Sequence, residues 1–256
     1  MTIPLALSAF LDCFSSALYS LKFGAPNSII DAVKKNLDFS QNKTLKILLY
    51  EAFRKTIILG EIPAGTRINE KEFSEILNIS RTPIRYALKQ LTTEKLVTYV
   101  PKIGVVVKGI STKDAHEIYD IRKSLDTLAA IKAMDQMTTD DFKKMKALLI
   151  YGEKLNREDR VDELLQNFSN FNAFIYEKSQ MLRLKGIVLE LQSYLIYFRD
   201  IAIRSSKRRN TALEEHWLIY RGIKTKNKEQ LTLLIHEHLD HSLKFILEEM
   251  ERQKID

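Results

Sequence analysis

The sequence predicts a mainly α-helical protein, with an N-terminal unit of three short helices and a β-hairpin followed by an all-α helical bundle. Three observations support this fold class. Ser80 begins a short helical pattern that carries arginines at its start. The net charge of +7 is concentrated around that helix. No proline follows Pro101, and long patterns of 3.6-residue period fill the rest of the chain. A length of 256 residues suits two domains of this kind.

Charge and composition limit the classes of function that this sequence can have. Residues 43–108 contain 12 Lys and Arg against 6 Asp and Glu, so almost all of the +7 lies there. A basic unit joined to a near-neutral one suggests an anionic partner, such as DNA, for the first. Cys13 is the single cysteine, which excludes an intrachain disulfide and fits the reducing cytoplasm. No apolar run is long enough to span a membrane, and residues 1–21 lack the Lys or Arg of a membrane-surface helix.

Residues 1–43 form a separate helical extension. Apolar residues in its first 21 positions are spaced as in an amphipathic helix, and a second short helix is predicted from about 28 to 37. We expect this extension to pack on its own chain or on a dimer mate.

The first helices of the basic unit have clear boundaries. A helix is predicted over 44–60, ending at Gly60. Asn69 then caps a second helix, with Glu72 at capping-box spacing, and Asn78 suits the left-handed residue that ends it. Its predicted core positions are Phe73, Ile76 and Leu77.

The segment 80–88 predicts a DNA-recognition helix. The Ser80 hydroxyl is a good N-cap, and Pro83 sits in the first turn, where a missing N–H costs little. Arg81, Thr82 and Arg85 lie off the apolar stripe at the exposed N-terminal end, which suits insertion into a major groove. The buried stripe comprises Ile84, Ala87, Leu88 and Leu91.

A β-hairpin completes this unit. Residues 97–100 and 105–107 are β-prone runs joined by the turn 101–104. Lys102 and Gly104 would lie at its tip, where a cation and a bare backbone can approach phosphate or the minor groove. Residues 44–108 therefore predict a winged helix-turn-helix DNA-binding domain.

The rest of the chain, 111–251, predicts an all-helical domain. Ser111 and Asp114 form a capping-box start. The charged run 204–209 is predicted to be a solvated loop. Six helices are expected, at about 112–134, 139–156, 159–180, 182–205, 210–224 and 227–251.

The segments 60–70 and 78–88 resemble the GntR family of bacterial transcription regulators, because turn glycine, cap, prolines and arginines share one register. Carried over by position, the family's DNA contacts fall on Lys71, on Arg81, Thr82 and Arg85, and on Gly104. Lys71 stands where some members have arginine; lysine keeps the charge but loses bidentate geometry, so we expect a phosphate contact there.

Residues 111–250 resemble the all-helical ligand-binding domain of FadR-type regulators, called FCD. The resemblance implies a domain that dimerises and encloses an effector pocket. Arg122 matches an arginine that these domains place on their first helix. Many such domains hold a metal through Asp-x-x-x-His and two later histidines; His216 and His238 match the later pair, but Phe168 and Asn172 replace the first two ligands.

Several roles stay open for these residues. Arg122, Asn172, His216 and His238 could hydrogen-bond an anionic effector directly, or could be ordinary polar residues. His216 and His238 could instead hold a divalent metal such as zinc, nickel or manganese, although the donor set lacks a carboxylate. Arg122 could simply pair with Asp126 one turn on.

We therefore expect a sequence-specific transcription regulator, not an enzyme, since no nucleophile elbow, phosphate-binding glycine loop or paired acidic motif is found. It would bind palindromic double-stranded operator DNA as a homodimer, without a membrane partner. A small organic acid, a carboxylate, would modulate binding from the helical domain. The alternatives are a metal-responsive regulator and a non-specific DNA-binding protein.

Overall fold

The computed structural model describes residues 26–256, which form two compact units divided between Ile110 and Ser111. The fold class is confirmed: the first unit combines helices with a small sheet, and the second is all helical. Within the described range, no helix is both long and apolar enough to cross a membrane. In the first unit the helices are α1 Pro26–Lys35, α2 Leu45–Ile58, α3 Glu70–Leu77 and α4 Arg81–Thr93, and the strands are β1 Arg67–Ile68, β2 Val97–Val100 and β3 Gly104–Val107.

Helix α1 belongs to the predicted N-terminal extension and packs against α2 and α3. It buries Ile29, Ile30 and Val33. Just after it, the Asn36 amide donates hydrogen bonds to Thr56 Oγ1 at 3.1 Å and to Glu61 Oε2 at 2.8 Å. This part of the extension therefore packs on its own chain, which is one of the two arrangements considered for it. The helix predicted in residues 1–21 lies outside the described residues.

The core of the first unit lies between α2 and α4. Phe53 of α2 contacts Phe73 of α3, with ring centroids 4.9 Å apart. Ile76 was predicted to be a core residue but is 38% exposed, so that prediction is wrong. Because α3 has only eight residues, its buried side reduces to Phe73.

The sheet contains one strand that the sequence did not predict. Its order is β1-β3-β2, with antiparallel pairs throughout. Strand β1 pairs Arg67 with Val106 and Ile68 with Val105. Two residues are too few to show an alternating pattern, so β1 leaves no periodic signal. The predicted hairpin of β2 and β3 is present.

The second unit contains six helices near the predicted positions. Its capping boxes at Ser111–Asp114 and Thr138–Asp141 are both formed. The C-terminal helix α10 packs against α5, α8 and α9, and α7 packs against α5, α6 and α8. The helices are α5 Thr112–Gln136, α6 Thr139–Arg157, α7 Val161–Lys178, α8 Leu182–Ala202, α9 Ser206–Thr225 and α10 Lys228–Arg252.

The predicted loop at 204–209 is wrong, because α9 begins at Ser206. Arg208 and Arg209 are only 4% and 7% exposed. Each has acidic partners: Arg208 contacts Glu215 at 3.0 Å, and Arg209 contacts Asp159 at 2.7 Å. Buried guanidinium groups require such partners. Glu215 lies two turns further along the same helix, whereas Asp159 comes from the segment between α6 and α7.

Candidate functional site

The turn between α3 and α4 positions the recognition helix. Asn78 has the left-handed φ of 51° that was expected at the end of α3. Ser74 holds the turn from both sides: its carbonyl accepts the Ile79 N–H at 3.1 Å, and its hydroxyl donates to the Ile79 carbonyl at 2.6 Å. These bonds fix the start of α4 relative to α3.

Helix α4 has the predicted division between a buried and an exposed side. Ile84, Ala87, Leu88 and Leu91 are buried, whereas Arg81, Thr82 and Arg85 are exposed. Ser80 occupies the N-cap position, but its hydroxyl makes no capping hydrogen bond. Pro83 is the third helical residue and has no N–H, which removes one of the two usual partners of an N-cap side chain.

Arg85 has a partner that the sequence analysis missed. Its Nε donates to Glu70 Oε2 at 2.8 Å, across the helix-turn-helix. Glu70 is the first residue of α3, and Asn69 caps that helix by accepting the Lys71 N–H at 3.1 Å. Lys71 is exposed, with Nζ 3.7 Å from Glu75. The predicted contact residues of α3 and α4 are thus all exposed, and the Glu70–Arg85 contact joins the start of α3 to α4.

The wing presents the two residues predicted at its tip. Lys102 is exposed, and its φ of 67° lies in the left-handed region. Gly104 has a φ of 105°, a backbone conformation that residues with a side chain rarely adopt. Tyr99 and Ile103, which the sequence analysis did not single out, are also exposed, at 68% and 49%.

In the second unit, the four predicted effector residues line one cavity. Arg122 comes from α5, Asn172 from α7, His216 from α9 and His238 from α10. The cavity volume is about 60 Å³, enough for a few water molecules or a small polar group. Other polar residues that line it are Gln192, Arg199, Arg208 and Ser242.

Arg122 is both a pocket residue and the partner of Asp126. Its Nη2 lies 3.0 Å from Asp126 Oδ2, and the other carboxylate oxygen accepts the Tyr176 hydroxyl at 2.9 Å. Tyr176 in turn accepts a hydrogen bond from Gln192 at 3.0 Å. Burial is the largest single effect and opposes the positive charge, but the charges of Asp126, Tyr119 and Tyr176 and the hydrogen bond to Asp126 together outweigh it and raise the pKa of Arg122. Its Nε is buried and has no hydrogen-bond partner in the described part of the chain.

Glu215 is the centre of a second charged cluster beside the cavity. Its Oε2 accepts from Arg208 at 3.0 Å and contacts His238 Nδ1 at 2.7 Å. Its Oε1 contacts His241 Nδ1 at 2.7 Å. Burial acts to raise the pKa of Glu215, but the hydrogen bond from His238 and the charges of His238 and Arg208 lower it overall. The seven-residue spacing of Arg208 and Glu215, which puts both on one helix face, was the signal available in the sequence.

His216 lies in an aromatic cage. Its ring stacks on the Phe171 ring, with centroids 4.4 Å apart, and meets the Phe168 ring edge-on, with centroids 4.9 Å apart. Burial, followed by the charges of His238 and Arg208, lowers the pKa of His216 well below its ordinary value. The imidazole is therefore neutral near pH 7, and its Nδ1 has no hydrogen-bond partner among residues 26–256.

These residues do not fit a divalent metal site. Phe168 places an aromatic ring where many FCD domains resembling this one have a carboxylate ligand. Across the described residues, no group of three or more His, Cys, Asp or Glu is arranged to hold a metal ion. Two imidazoles and one carboxamide form a weak donor set for zinc, nickel or manganese.

Comparisons with known proteins agree with this two-unit organisation. Residues 48–107 match the family model described as bacterial regulatory proteins, gntR family, and residues 117–241 match the FCD domain. The uncharacterized transcriptional regulator YdhC of Bacillus subtilis is 28% identical over 218 residues, which cover 83% of this chain and 97% of that protein. The gluconate operon transcriptional repressor of the same organism is 26% identical over 195 residues, covering 73% and 79% of the two chains.

Solved structures show the same fold. Lar, described as controlling the Listeria monocytogenes agr system, superposes with a TM-score of 0.63 at 17% identity, covering 81% of this chain and 99% of that one. Escherichia coli McbR/YncC superposes with a TM-score of 0.57 at 21% identity, covering 80% of this chain and 98% of that one. The matched segments together span more than half of the sequence. The chain therefore belongs to the GntR family of bacterial regulatory proteins, as a DNA-binding transcription regulator with a C-terminal FCD domain.

Proposed function

We propose that this regulator binds a palindromic operator sequence-specifically, as a cytoplasmic homodimer, and that a small carboxylate bound in the FCD domain modulates this binding. The observation that carries the effector part is the cavity that Arg122, Asn172, His216 and His238 line together. Residues from four helices converge there, which is typical of a ligand site in a helical domain.

On the DNA side, the exposed start of α4 supports base reading. Arg81, Thr82 and Arg85 are exposed while the opposite face of the helix is buried. In the major groove, a bidentate arginine–guanine contact contributes about 1–3 kcal/mol of discrimination. Lys71 and Lys102 would contact phosphates, and Gly104 would let the wing backbone approach the duplex.

On the effector side, the cavity combines donors with apolar walls. Arg122 Nε is a buried donor without a partner in the described chain, and Asn172 and His238 offer further polar groups. Leu195 and Phe245 line the same cavity. A small acid with a short apolar body would satisfy the Arg122 donor and bury its remaining surface.

The effector would bind these side chains directly, because the donor set does not fit a metal. A ligand changes operator affinity only if it binds two arrangements of the dimer with different affinities.

A thermal-shift screen of small mono- and dicarboxylates, each with and without zinc, nickel and manganese, tests the effector proposal. We expect at least one acid to raise the melting temperature without added metal, because a ligand selective for the native state stabilises it. The same acid should change the mobility shift of a duplex selected by the protein from a random pool. Shifts that appear only with a metal ion would contradict direct binding.

A further inference from the structure

Glu70 connects the two helices of the helix-turn-helix at the surface proposed to face DNA. Its carboxylate oxygen lies 2.8 Å from Arg85 Nε, although the two residues are 15 positions apart. Glu70 begins α3, where a negative side chain interacts favourably with the helix dipole. The carboxylate is therefore held at the N-terminus of α3 while it binds the guanidinium from α4.

The contact is made at one particular nitrogen of the guanidinium. Only Nε of Arg85 is engaged; among the described residues its two terminal amino groups have no hydrogen-bond partner. The Arg85 side chain is 63% exposed. Because the guanidinium is planar, a contact at Nε restricts its orientation and leaves Nη1 and Nη2 available for bidentate binding to a guanine edge.

The sign of the Glu70 charge matters as well. A carboxylate on a surface that approaches phosphates weakens binding to every DNA sequence, because most of that affinity comes from neutralising phosphate charge. Glu70 contributes nothing favourable to such general affinity. Its contact with Arg85 instead restricts the orientation of a residue that would read bases.

We propose that Glu70 is a positioning residue for base reading, which raises discrimination between sequences while lowering general affinity for DNA. The inference rests on the proposed role of Arg85 in contacting bases. It predicts that the two effects separate when Glu70 is replaced.

The test compares two duplexes, one selected by the wild-type full chain from a random pool and one with the same bases scrambled. For Glu70→Gln we expect tighter binding to the scrambled duplex and a roughly tenfold lower affinity ratio between the two. The preference at a single base pair should be lost, which a merely structural role would not produce. Glu70→Asp keeps the negative charge but has a shorter side chain, which moves the carboxylate away from Arg85. It should lower the affinity ratio without tightening binding to the scrambled duplex.

Glu75→Gln is the matched control, because it removes the same charge from the same helix. Glu75 is 64% exposed and lies 3.7 Å from Lys71 rather than near Arg85. Its replacement should tighten binding to both duplexes by the same factor, so that the ratio of the two affinities does not change.

The double variant Glu70→Gln/Arg85→Ala separates the possible outcomes. In the Arg85→Ala background, Glu70→Gln should no longer change the ratio. An unchanged ratio for Glu70→Gln alone, or an equal fall with and without Arg85, would overturn the positioning role. If Arg85→Ala itself left binding to the selected duplex intact, the base-reading role of Arg85 would be wrong, and the role of Glu70 with it.

Discussion

The Phe168 ring packs edge-on against the His216 ring, with centroids 4.9 Å apart and planes at 89°. Phe168 stands where FCD domains that hold a metal have an aspartate, so an apolar contact replaces a metal ligand. The same ring contributes to a buried cluster with Leu155, Leu164 and Leu213. This side of the cavity is therefore formed by the apolar packing of Phe168.

Restoring the missing ligands should create metal binding. In Phe168→Asp/Asn172→His, an aspartate and a third histidine would join His216 and His238, which gives a donor set suited to zinc, nickel or manganese. We expect the double variant to be less stable than the wild type without metal, because a buried ring is lost. Its melting temperature should rise with added metal, by the equivalent of about 2.7 kcal/mol at a concentration one hundred times the dissociation constant.

The single variant Asn172→His serves as the control, since it adds a histidine but no carboxylate. Its metal-dependent shift should be much smaller. Equal shifts in the wild type and the double variant would contradict the account of why this pocket does not fit a metal.

Arg122 is expected to anchor the effector. Arg122→Gln removes the guanidinium, while Asp126 keeps its hydrogen bond from Tyr176. Breaking the buried pair should lower the free energy of unfolding by about 3–5 kcal/mol. DNA binding should persist at temperatures below the lowered melting point, but a carboxylate found in the screen should no longer alter the mobility shift.

Arg160→Gln removes an arginine paired at the exposed start of α7 and should keep the effector response. A normal response in the Arg122 variant would show that another group anchors the acid.

Buried His216 should make stability depend on pH. Its pKa is well below the ordinary 6.5 in the folded protein, so below about pH 6.5 the unfolded chain takes up a proton that the folded chain does not. The free energy of unfolding should therefore fall on acidification, by up to about 1.4 kcal/mol per pH unit from this group, until the folded pKa is reached. Above about pH 6.5 its contribution is fully present and constant.

Denaturant unfolding between pH 5 and pH 8 gives the free energy of unfolding as a function of pH for the wild type and for His216→Phe. The difference between the slopes of these two curves measures the contribution of His216. The variant keeps an aromatic ring beside Phe171 but cannot titrate. Parallel curves for the wild type and His216→Phe would refute the neutral assignment.

Lys71 should affect affinity and not selectivity. A phosphate contact contributes equally on any sequence, so Lys71→Ala should weaken binding to selected and scrambled duplexes alike. The slope of log affinity against log salt concentration should decrease by about 1. A selective loss on one duplex would instead indicate that Lys71 contacts bases.

The features that the sequence predicted correctly depend on neighbours along one helix or one turn. The buried stripe of α4 follows from residue spacing, and the left-handed Asn78 from local backbone preference. The Ser80 hydroxyl makes no capping hydrogen bond, and Pro83, which removes one of the two possible donors, is an equally local feature of the sequence. Such signals are present in any short window of the sequence.

The features that were missed depend on chain segments that meet only in the folded protein. The Glu70–Arg85 contact joins two helices, and His241 reaches Glu215 from α10. Arg209 appears as one charge in a basic run until the fold brings Asp159, 50 residues earlier in the chain, to within 2.7 Å of it. Which charges are buried is decided by tertiary packing, and no pattern in the run itself encodes it.

The shared use of Glu215 has a consequence for how this protein can diverge. One carboxylate serves three partners, so a change at Arg208, His238 or His241 alters the charge balance that the other two experience. Single replacements would be selected against, whereas coordinated replacements that remove the carboxylate and its three partners together would be tolerated. Across related sequences, these four positions should covary as one unit, and a library that changes them jointly should yield folded variants that stepwise mutation does not reach.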